Sequence, residues 1–327
     1  MTTVARPPTT TDSSTRDPQI FKAWAAIFLG MGVASFAAIF TRASLNAGMP
    51  PLMTSAGRLA IGFTVLTPIV LYHYRDELRV MSHTDRLMAV FAGFWMCLHF
   101  SLIALSLENT RIAVTQVLVN TSPLIVAILE TVFLKARLPR IVWIGLFMAI
   151  LGSAVIGADG FLSTESILLA APENLGLAAT DTGNPTLGVI FALVSAGAAA
   201  LYLVTGRKAR GTVSLIPYLW ILTGAGTVTG IAILLLTATP AFGHSTEAYF
   251  WLMMLAFGPQ LITHSGINYA VAYLPATIVT IASQFVTVTA TIAAFIFFAE
   301  VPSVLELIGA AIILSGVMVA ILGRNRS

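Results

Sequence analysis

Long apolar segments separated by short polar ones dominate the chain from residue 23 onward. About 20 consecutive apolar residues allow an α-helix to cross the hydrocarbon core of a bilayer. Lipid offers no hydrogen-bond partners to backbone N–H and C=O groups, so segments of this kind form helices. The pattern predicts ten transmembrane spans, numbered 1 to 10 in chain order, at residues 23–41, 52–72, 87–107, 112–134, 141–158, 187–205, 215–236, 248–272, 276–298 and 304–323. Pro68, Pro123, Pro217 and Pro259 fall inside spans and are expected to kink or locally open them.

The two halves of this pattern resemble each other when the chain is shifted by 164 residues. The matched pairs are Gln116 with Thr280, Asn120 with Gln284, Gly145 with Gly309 and Gly152 with Gly316. A shift one residue longer pairs His99 with His264. A repeat of this size predicts two halves of five spans each, and an odd number of spans inverts the second half relative to the first.

Composition restricts the class of protein further. The chain is 57% hydrophobic and 9% charged, whereas soluble proteins carry about 25% charged residues. The sequence therefore predicts an all-α integral membrane protein whose ten transmembrane helices form two inverted five-helix repeats. Its single cysteine, Cys97, excludes a disulfide framework and a cysteine-based metal site. A net charge of +3, with basic residues at helix ends, does not indicate nucleic-acid binding.

The same pattern divides the chain into four parts. Residues 1–20, rich in Thr, Ser, Pro and charge, are expected to form a disordered cytoplasmic tail. Residues 21–158 form the first repeat, 159–186 an extracytoplasmic connecting segment, and 187–327 the second repeat. With the N-terminus in the cytoplasm, all of the 17 basic residues except Arg42, Arg58 and Arg111 lie in cytoplasmic segments. Since such segments are enriched in Lys and Arg, we expect both termini to be cytoplasmic.

A few polar side chains lie inside the apolar spans, where they are costly and usually face a cavity or another helix. Gln116 and Asn120 are four residues apart in span 4, and Thr280 and Gln284 are four apart in span 9, so each pair shares a helix face. We expect these residues to form a hydrogen-bonding site for substrate. The alternative is hydrogen bonding between helices, which contributes about 0.6 kcal/mol per bond.

Two histidines add to these candidates. His99 in span 3 and His264 in span 8 either bind substrate or carry a proton, or are neutral and bonded to a backbone carbonyl or a nearby serine. Trp95 lies one turn before His99, and Asn268 one turn after His264, so both are candidate substrate contacts; for Trp95 a packing or lipid-facing position is the alternative. We expect no metal site, because two histidines without a nearby Cys or Asp form a weak ligand set.

Arg58 is the one basic residue well inside a span, where a charge costs about 2.5–3.5 kcal/mol on insertion scales. We expect a structural or gating contact for it, with binding of a substrate carboxylate as the alternative. No acidic residue lies in the middle of a span. We therefore expect facilitated transport, or weak coupling through the two histidines. Uncharged polar groups without a counter-ion favour a zwitterionic or neutral solute.

Several motifs resemble a known family, the EamA-type ten-helix transporters of the drug/metabolite transporter superfamily. NYAVAYLPATIVTI, FFAEVP and LIGAAIILSGVMVA in spans 8 to 10 resemble its second repeat, and Arg58-Leu59-Ala60, Ser122-Pro123 and the Gly145/Gly152 pair resemble its first. The resemblance covers about residues 23–323. It implies an inner-membrane carrier of small organic solutes, often an exporter of amino acids or other metabolites, with a central cavity among spans 3, 4, 8 and 9.

The chain departs from the family pattern in three places. Lys135-Ala136-Arg137 stands where an acidic residue often ends span 4, span 9 lacks a proline matching Pro123, and the segment between spans 5 and 6 is longer than usual. The alternatives to a carrier are a channel or sensor, or a membrane-embedded enzyme. The chain lacks an HExxH motif, a Gly-x-Ser-x-Gly motif and paired acids in the membrane, so we expect no catalytic residues. We expect no cofactor, and a monomer or homodimer whose partners are its substrate and the lipid bilayer.

Overall fold

The computed structural model describes residues 13–110, 112–162, 184–289 and 304–324, and within these ranges the chain is almost entirely helical and contains no strand. The helices in chain order are α1 (Ser13–Ala34), α2 (Ala37–Asn46), α3 (Pro51–His73), α4 (Arg75–Val80), α5 (His83–Asn109), α6 (Ile112–Val119), α7 (Ser122–Phe133), α8 (Arg140–Leu162), α9 (Pro185–Arg210), α10 (Leu215–Leu236), α11 (Thr246–Leu255), a π-helical segment (Ala256–Thr263), α12 (His264–Ala270), α13 (Ala276–Ser283) and α14 (Val304–Arg324). The all-α class predicted from the sequence is confirmed.

Each predicted span corresponds to one of these helices or to consecutive segments of one interrupted helix. Span 1 consists of α1 and α2, span 4 of α6 and α7, and span 8 of α11, the π-helical segment and α12. Spans 2, 3, 5, 6, 7 and 10 are α3, α5, α8, α9, α10 and α14. Span 9 begins with α13, and its predicted end at residue 298 lies outside the described residues.

Two of the four prolines interrupt their spans. Pro123 separates α6 from α7, because proline lacks the N–H that would bond to the carbonyl four residues earlier. Pro259 lies inside the π-helical segment, where the wider turn accommodates it. Pro217 is the third residue of α10, where the backbone N–H has no partner within the helix in any case. Pro68 lies inside α3, which continues past it as one helix.

The two halves of the chain interleave rather than fold side by side. The most extensive contacts join span 5 to span 10, span 3 to span 6, span 1 to span 8, span 7 to spans 2 and 3, and span 6 to span 4, and span 4 also contacts span 9. Under the repeat, the pairs 5–10, 2–7 and 4–9 map onto themselves and the pair 3–6 maps onto 1–8. The contacts 3–7 and 4–6 correspond to the smaller contacts of span 8 with span 2 and of span 9 with span 1. The fold therefore has the approximate twofold relation that the repeated sequence predicts.

Glycine makes the closest of these contacts possible. A Cβ atom on Gly145 of α8 would lie 2.5 Å from the carbonyl oxygen of Gly316 in α14, and a Cβ atom on Gly152 would lie 2.6 Å from that of Gly309. Any side chain at these positions would push the two backbones apart. The glycines that reveal the repeat in the sequence are thus the residues through which its two halves pack at spans 5 and 10.

The ends of the helices differ from the predicted boundaries. Helix α1 begins at Ser13, within the 1–20 tail for which the sequence predicts disorder. A helix bonds its own backbone groups, so it can continue beyond the hydrocarbon region into the polar sequence that precedes the span. Residues 1–12 and most of the connecting segment 159–186 lie outside the described residues. The side chain of Asn184 caps the start of α9 by accepting hydrogen bonds from the backbone N–H groups of Thr186 and Leu187.

Candidate functional site

A cavity of about 200 Å³ lies between the two halves of the repeat. Spans 1, 2, 3, 4, 6, 8 and 9 contribute to its wall. The family resemblance implied a cavity among spans 3, 4, 8 and 9, and the structure adds spans 1, 2 and 6. Since a water molecule in the liquid occupies about 30 Å³, the cavity has room for a small organic molecule.

Most of the site residues predicted from the sequence line this cavity. They are Arg58, His99, Gln116, Asn120, His264, Thr280 and Gln284. Trp95 and Asn268 are not among the lining residues. Trp95 packs edge-on against the rings of Phe91 and Phe94. Asn268 is fully buried and donates a hydrogen bond of 2.6 Å to the hydroxyl of Tyr202, which does line the cavity.

Asn120 and Gln284 meet where both of their spans are interrupted. Because of the interruption at Pro123, the N–H of Leu124 bonds to Thr121 and leaves the carbonyl of Asn120 without its helical partner. The side-chain Nε2 of Gln284 donates to that carbonyl at 2.6 Å, and Asn120 Nδ2 donates to Thr287 Oγ1 at 3.3 Å. Both amides therefore join spans 4 and 9 while also facing the cavity.

The other repeat-related pair, Gln116 and Thr280, behaves differently. The hydroxyl of Thr280 donates to the carbonyls of Ala276 and Thr277 in its own helix, at 3.0 and 2.9 Å. The side-chain amide of Gln116 lines the cavity and makes no hydrogen bond within the described part of the chain. Gln116 therefore offers a donor and an acceptor to anything that enters.

His99 is anchored on one side by span 6. Its Nδ1 atom lies 3.0 Å from the carbonyl oxygen of Ser195 and 2.8 Å from the Ser195 hydroxyl. The serine hydroxyl in turn lies 3.1 Å from the carbonyl of His99. These distances favour the tautomer in which Nδ1 donates to the Ser195 carbonyl and the hydroxyl donates to the His99 carbonyl. This contact matches the alternative of a histidine bonded to a backbone carbonyl and a nearby serine.

His264 belongs to an aromatic cluster around Phe100. The His264 ring meets Phe100 edge-on at a centroid distance of 5.0 Å and lies 6.3 Å from Tyr202. Within the part of the chain that the structure describes, its Nδ1 atom is buried without a hydrogen-bond partner. The other face of this cluster carries a charge, since the guanidinium carbon of Arg58 lies 3.8 Å from the centroid of the Phe100 ring. That distance is well inside the range of a cation–π interaction.

Arg58 lies in the cavity wall with 6% of its surface exposed. Its Nε atom donates to the Oε1 atom of Gln260 at 3.1 Å. Within the described ranges, the structure contains no ion pair between Arg58 and a carboxylate. The charge is thus held by one amide and one aromatic ring and is otherwise uncompensated.

Sequence reasoning did not single out Phe100, Tyr202 or Gln260. Phe100 and Tyr202 are aromatic residues in apolar spans, where nothing in the local pattern separates a cavity wall from lipid contact. Gln260 carried a usable signal, because a buried amide directly after Pro259, inside an apolar span, is as costly as the amides that were recognised.

Where span 4 ends and span 9 begins, a group of residues that we call the inner latch joins spans 4, 6 and 9. It consists of Glu130, Arg207, Ala276 and Thr277. The name follows the topology expected from the sequence, in which this end is cytoplasmic. The fully buried carboxylate of Glu130 accepts hydrogen bonds of 2.8 Å from the backbone N–H groups of Ala276 and Thr277 and one of 2.6 Å from the Thr277 hydroxyl. Arg207 Nε lies 3.2 Å from the same carboxylate. An anion at the start of a helix is favourable because the free N–H groups point at it.

Part of this latch recurs at the opposite end of the fold. Arg207 of span 6 also donates to the carbonyl of Leu274, which lies 67 residues later, just before span 9. Arg42 of span 1 donates at 2.8 Å to the carbonyl of Thr110, 68 residues later and just before span 4. Spans 1 and 6 are repeat partners, as are spans 4 and 9, so the two arginine contacts are equivalent under the repeat. Glu130 strengthens only the inner one, since position 294 in the second repeat is an alanine.

The described residues contain no group of three or more His, Cys, Asp or Glu side chains placed to hold a metal ion. Among the described residues that line the cavity, the polar side-chain groups are three amides, six hydroxyls, two imidazoles and one guanidinium. Groups of this kind offer hydrogen bonds and one positive charge to a molecule in the cavity.

Comparison with known proteins agrees with this arrangement. The model of the EamA-like transporter family matches residues 22–158 and, a second time, residues 186–322. The uncharacterized transporter YdfC of Bacillus subtilis (strain 168) is 22% identical over 305 residues, covering 92% of this chain and 90% of that one. A protein of known crystal structure has a similar fold, with a TM-score of 0.65 and 17% identity over 93% of this chain and 99% of that chain. Because the family model matches both halves, the chain belongs to the EamA-like transporter family and is a membrane transporter built from two repeats.

Proposed function

We propose that the protein carries small organic solutes, such as amino acids or related metabolites, across the cell (inner) membrane by alternating access around the central cavity. The cavity itself is the observation that carries this proposal. Its mostly apolar wall carries several polar groups, it is large enough for a small metabolite, and both halves of the repeat line it. Solute sites of transporters with inverted repeats lie at such an interface.

The repeat-related arginine contacts supply a physical basis for alternation. Each one fastens the end of span 1 or span 6 to the loop that precedes span 4 or span 9. Releasing the inner contact while the outer one holds would open the cavity to one side only, and the reverse exchange would open it to the other. A channel needs no such pair of equivalent contacts, which favours a carrier over the channel alternative.

Direction and orientation form part of the same proposal. We place both termini in the cytoplasm, so that the inner latch faces the cytoplasm, and we assign the protein to export. We assign no catalytic residue and no cofactor. Terminal tags that become accessible to protease on the outside of intact cells would contradict this orientation.

Uptake into proteoliposomes, screened with labelled amino acids, organic acids, sugars and nucleosides, tests the function. Two serines give a matched pair of variants. Ser283 lines the cavity, Ser315 is exposed on the surface of α14, and each hydroxyl donates at 2.8 Å to the carbonyl four residues earlier. We expect Ser283→Leu to abolish uptake of the solute found in the screen and Ser315→Leu to leave it unchanged. Equal uptake by both variants and the parent would place the solute path elsewhere.

A further inference from the structure

We propose that the preferred solute is a small organic monoanion, and that its carboxylate is bound by Arg58. This inference rests on the proposed function and narrows its substrate class. It also changes the expectation of a zwitterionic or neutral solute, for which Arg58 was expected to make a structural or gating contact rather than to bind a substrate carboxylate.

The Arg58 side chain is fixed by two contacts and still has N–H groups to offer a ligand. Its Nε atom is engaged by Gln260 and its flat face rests on Phe100, so two independent contacts fix the plane of the guanidinium. Neither Nη atom donates a hydrogen bond to any residue that the structure describes. The edge formed by these two N–H groups matches a carboxylate, which accepts both in parallel.

The positive charge of Arg58 has no negative partner in the described wall of the cavity. Among the described residues that line the cavity, none is acidic, and apart from the two histidines Arg58 is the one basic residue. A charge removed from water is unfavourable without a partner, and charged residues inside membrane spans usually face a solute path. A bound carboxylate supplies the missing partner and leaves the occupied cavity neutral.

The described cavity wall favours a solute that carries no positive charge beside its carboxylate. An ammonium group needs a carboxylate or several carbonyl acceptors, and no described acid lies in the cavity wall. The carbonyl of Asn120, which the helix interruption frees, is already taken by Gln284. The site therefore favours a carboxylic acid anion over the corresponding amino acid, and both over the corresponding amine.

The test uses the purified full-length protein and three sets of size-matched probes. They are propionate, alanine and ethylamine; 4-methylvalerate, leucine and 3-methylbutylamine; and 3-phenylpropionate, phenylalanine and 2-phenylethylamine. Binding is measured by thermal stabilisation and by isothermal titration calorimetry. We expect at least one carboxylate to bind at least tenfold more tightly than its amino acid, and the amines not to bind. Inorganic phosphate forms a further arm, because a guanidinium also binds phosphate.

Three variants separate the charge of Arg58 from its structural contacts. We expect Arg58→Gln to lose carboxylate binding at least tenfold and Arg58→Lys to retain part of it. The control is Arg79→Gln, because Arg79 is exposed and pairs only with Asp76 at the surface; it should bind as the parent does. If Arg58→Gln does not fold, the probe series on the parent protein and Arg58→Lys still decide the matter.

Three results would overturn the inference. They are equal or tighter binding of the amino acids or amines, binding of phosphate with no carboxylate bound, and no carboxylate bound at all. If Arg58→Gln transports a solute as fast as the parent protein does, the inference is also overturned, and the proposed carrier function stands. Failure of the proposed function is a separate outcome, namely no solute of any charge taken up in the proteoliposome screen.

Discussion

At the scale of single residues, the side-chain amide of Gln284 bonds to a neighbouring helix and also lines the cavity. Its bond to the Asn120 carbonyl replaces the helical hydrogen bond that the interruption at Pro123 removes. A buried carbonyl left without a donor costs about 1–3 kcal/mol. The sequence left two roles open for this residue, substrate binding or a hydrogen bond between helices; the structure shows the bond between helices, in a residue that also lines the cavity.

Gln284→Leu is therefore expected to lower the melting temperature in detergent by several degrees, because it leaves the Asn120 carbonyl without a hydrogen-bond donor. Gln116→Leu is the matched control, since the Gln116 amide makes no hydrogen bond within the described residues. It should melt as the parent does and lose solute binding. Differential scanning fluorimetry measures the first effect and ligand titration the second. Equal melting temperatures for both variants would show that the Gln284 bond does not stabilise the fold.

Most of the site residues predicted from the sequence line the cavity, because polar side chains in apolar spans are costly enough to mark an interior face. It did not predict the partners of those residues. The contact between His99 and Ser195 and the cation–π contact between Arg58 and Phe100 join helices far apart in the sequence. Helical periodicity places a residue on a face and does not specify which helix packs against that face.

At the scale of helices, small residues decide how closely the two repeats approach. Gly145 and Gly316 lie so close that each occupies the space of the other's missing side chain. Close approach of this kind replaces the hydrophobic driving force that is absent between helices in lipid. The glycine pairs that indicate the repeat in the sequence are the residues that make this contact.

We expect Gly145→Ala to destabilise the protein by about 1–3 kcal/mol, since the added methyl group would lie 2.5 Å from a backbone oxygen. Gly197→Ala is the control, because a Cβ atom there would meet no neighbouring atom within 4 Å. It should be neutral, or stabilising by up to about 1 kcal/mol through the better helix propensity of alanine. Unfolding titrations in mixed micelles measure both changes. A Gly145→Ala variant as stable as Gly197→Ala would contradict the close packing of α8 on α14.

The interruptions of the spans were only partly predictable. Proline marks those at Pro123 and Pro259, whereas span 9 breaks at Gln284 without a proline. Span 9 thus reproduces the interruption of span 4 at the repeat-related position, although its sequence lacks the usual cause. The amide bond to Asn120 fastens the two interrupted spans together.

At the scale of the whole molecule, the inner latch makes the two ends of the fold unequal. Both ends have an arginine bonded to a loop carbonyl, and among the described residues only the inner end adds a buried carboxylate. The sequence alone does not identify the partners of Glu130, because Ala276, Thr277 and Arg207 lie far along the chain.

We expect Glu130→Gln to destabilise the protein by about 1–3 kcal/mol, because it removes a charge-assisted cap of α13 and an ion pair together. Arg207→Gln should cost less, since the Arg207 side chain is 31% exposed. The two changes should be non-additive, because they share one contact. A double-mutant cycle in unfolding titrations measures the coupling, with the exposed Asp76→Asn as control. Additive effects would show that the ion pair contributes nothing.

Alternating access is tested most directly by the accessibility of the cavity from each face. Cys97 is the only cysteine, so Ser283→Cys in a Cys97→Ala background places a single thiol in the cavity wall. A membrane-impermeant thiol reagent is applied to one face of oriented proteoliposomes at a time, with and without Glu130→Gln. Releasing the inner latch should raise the rate of labelling from the cytoplasmic face and lower the rate from the outside. Rates that rise together at both faces, or a thiol that neither face can reach, would contradict a carrier built around this cavity.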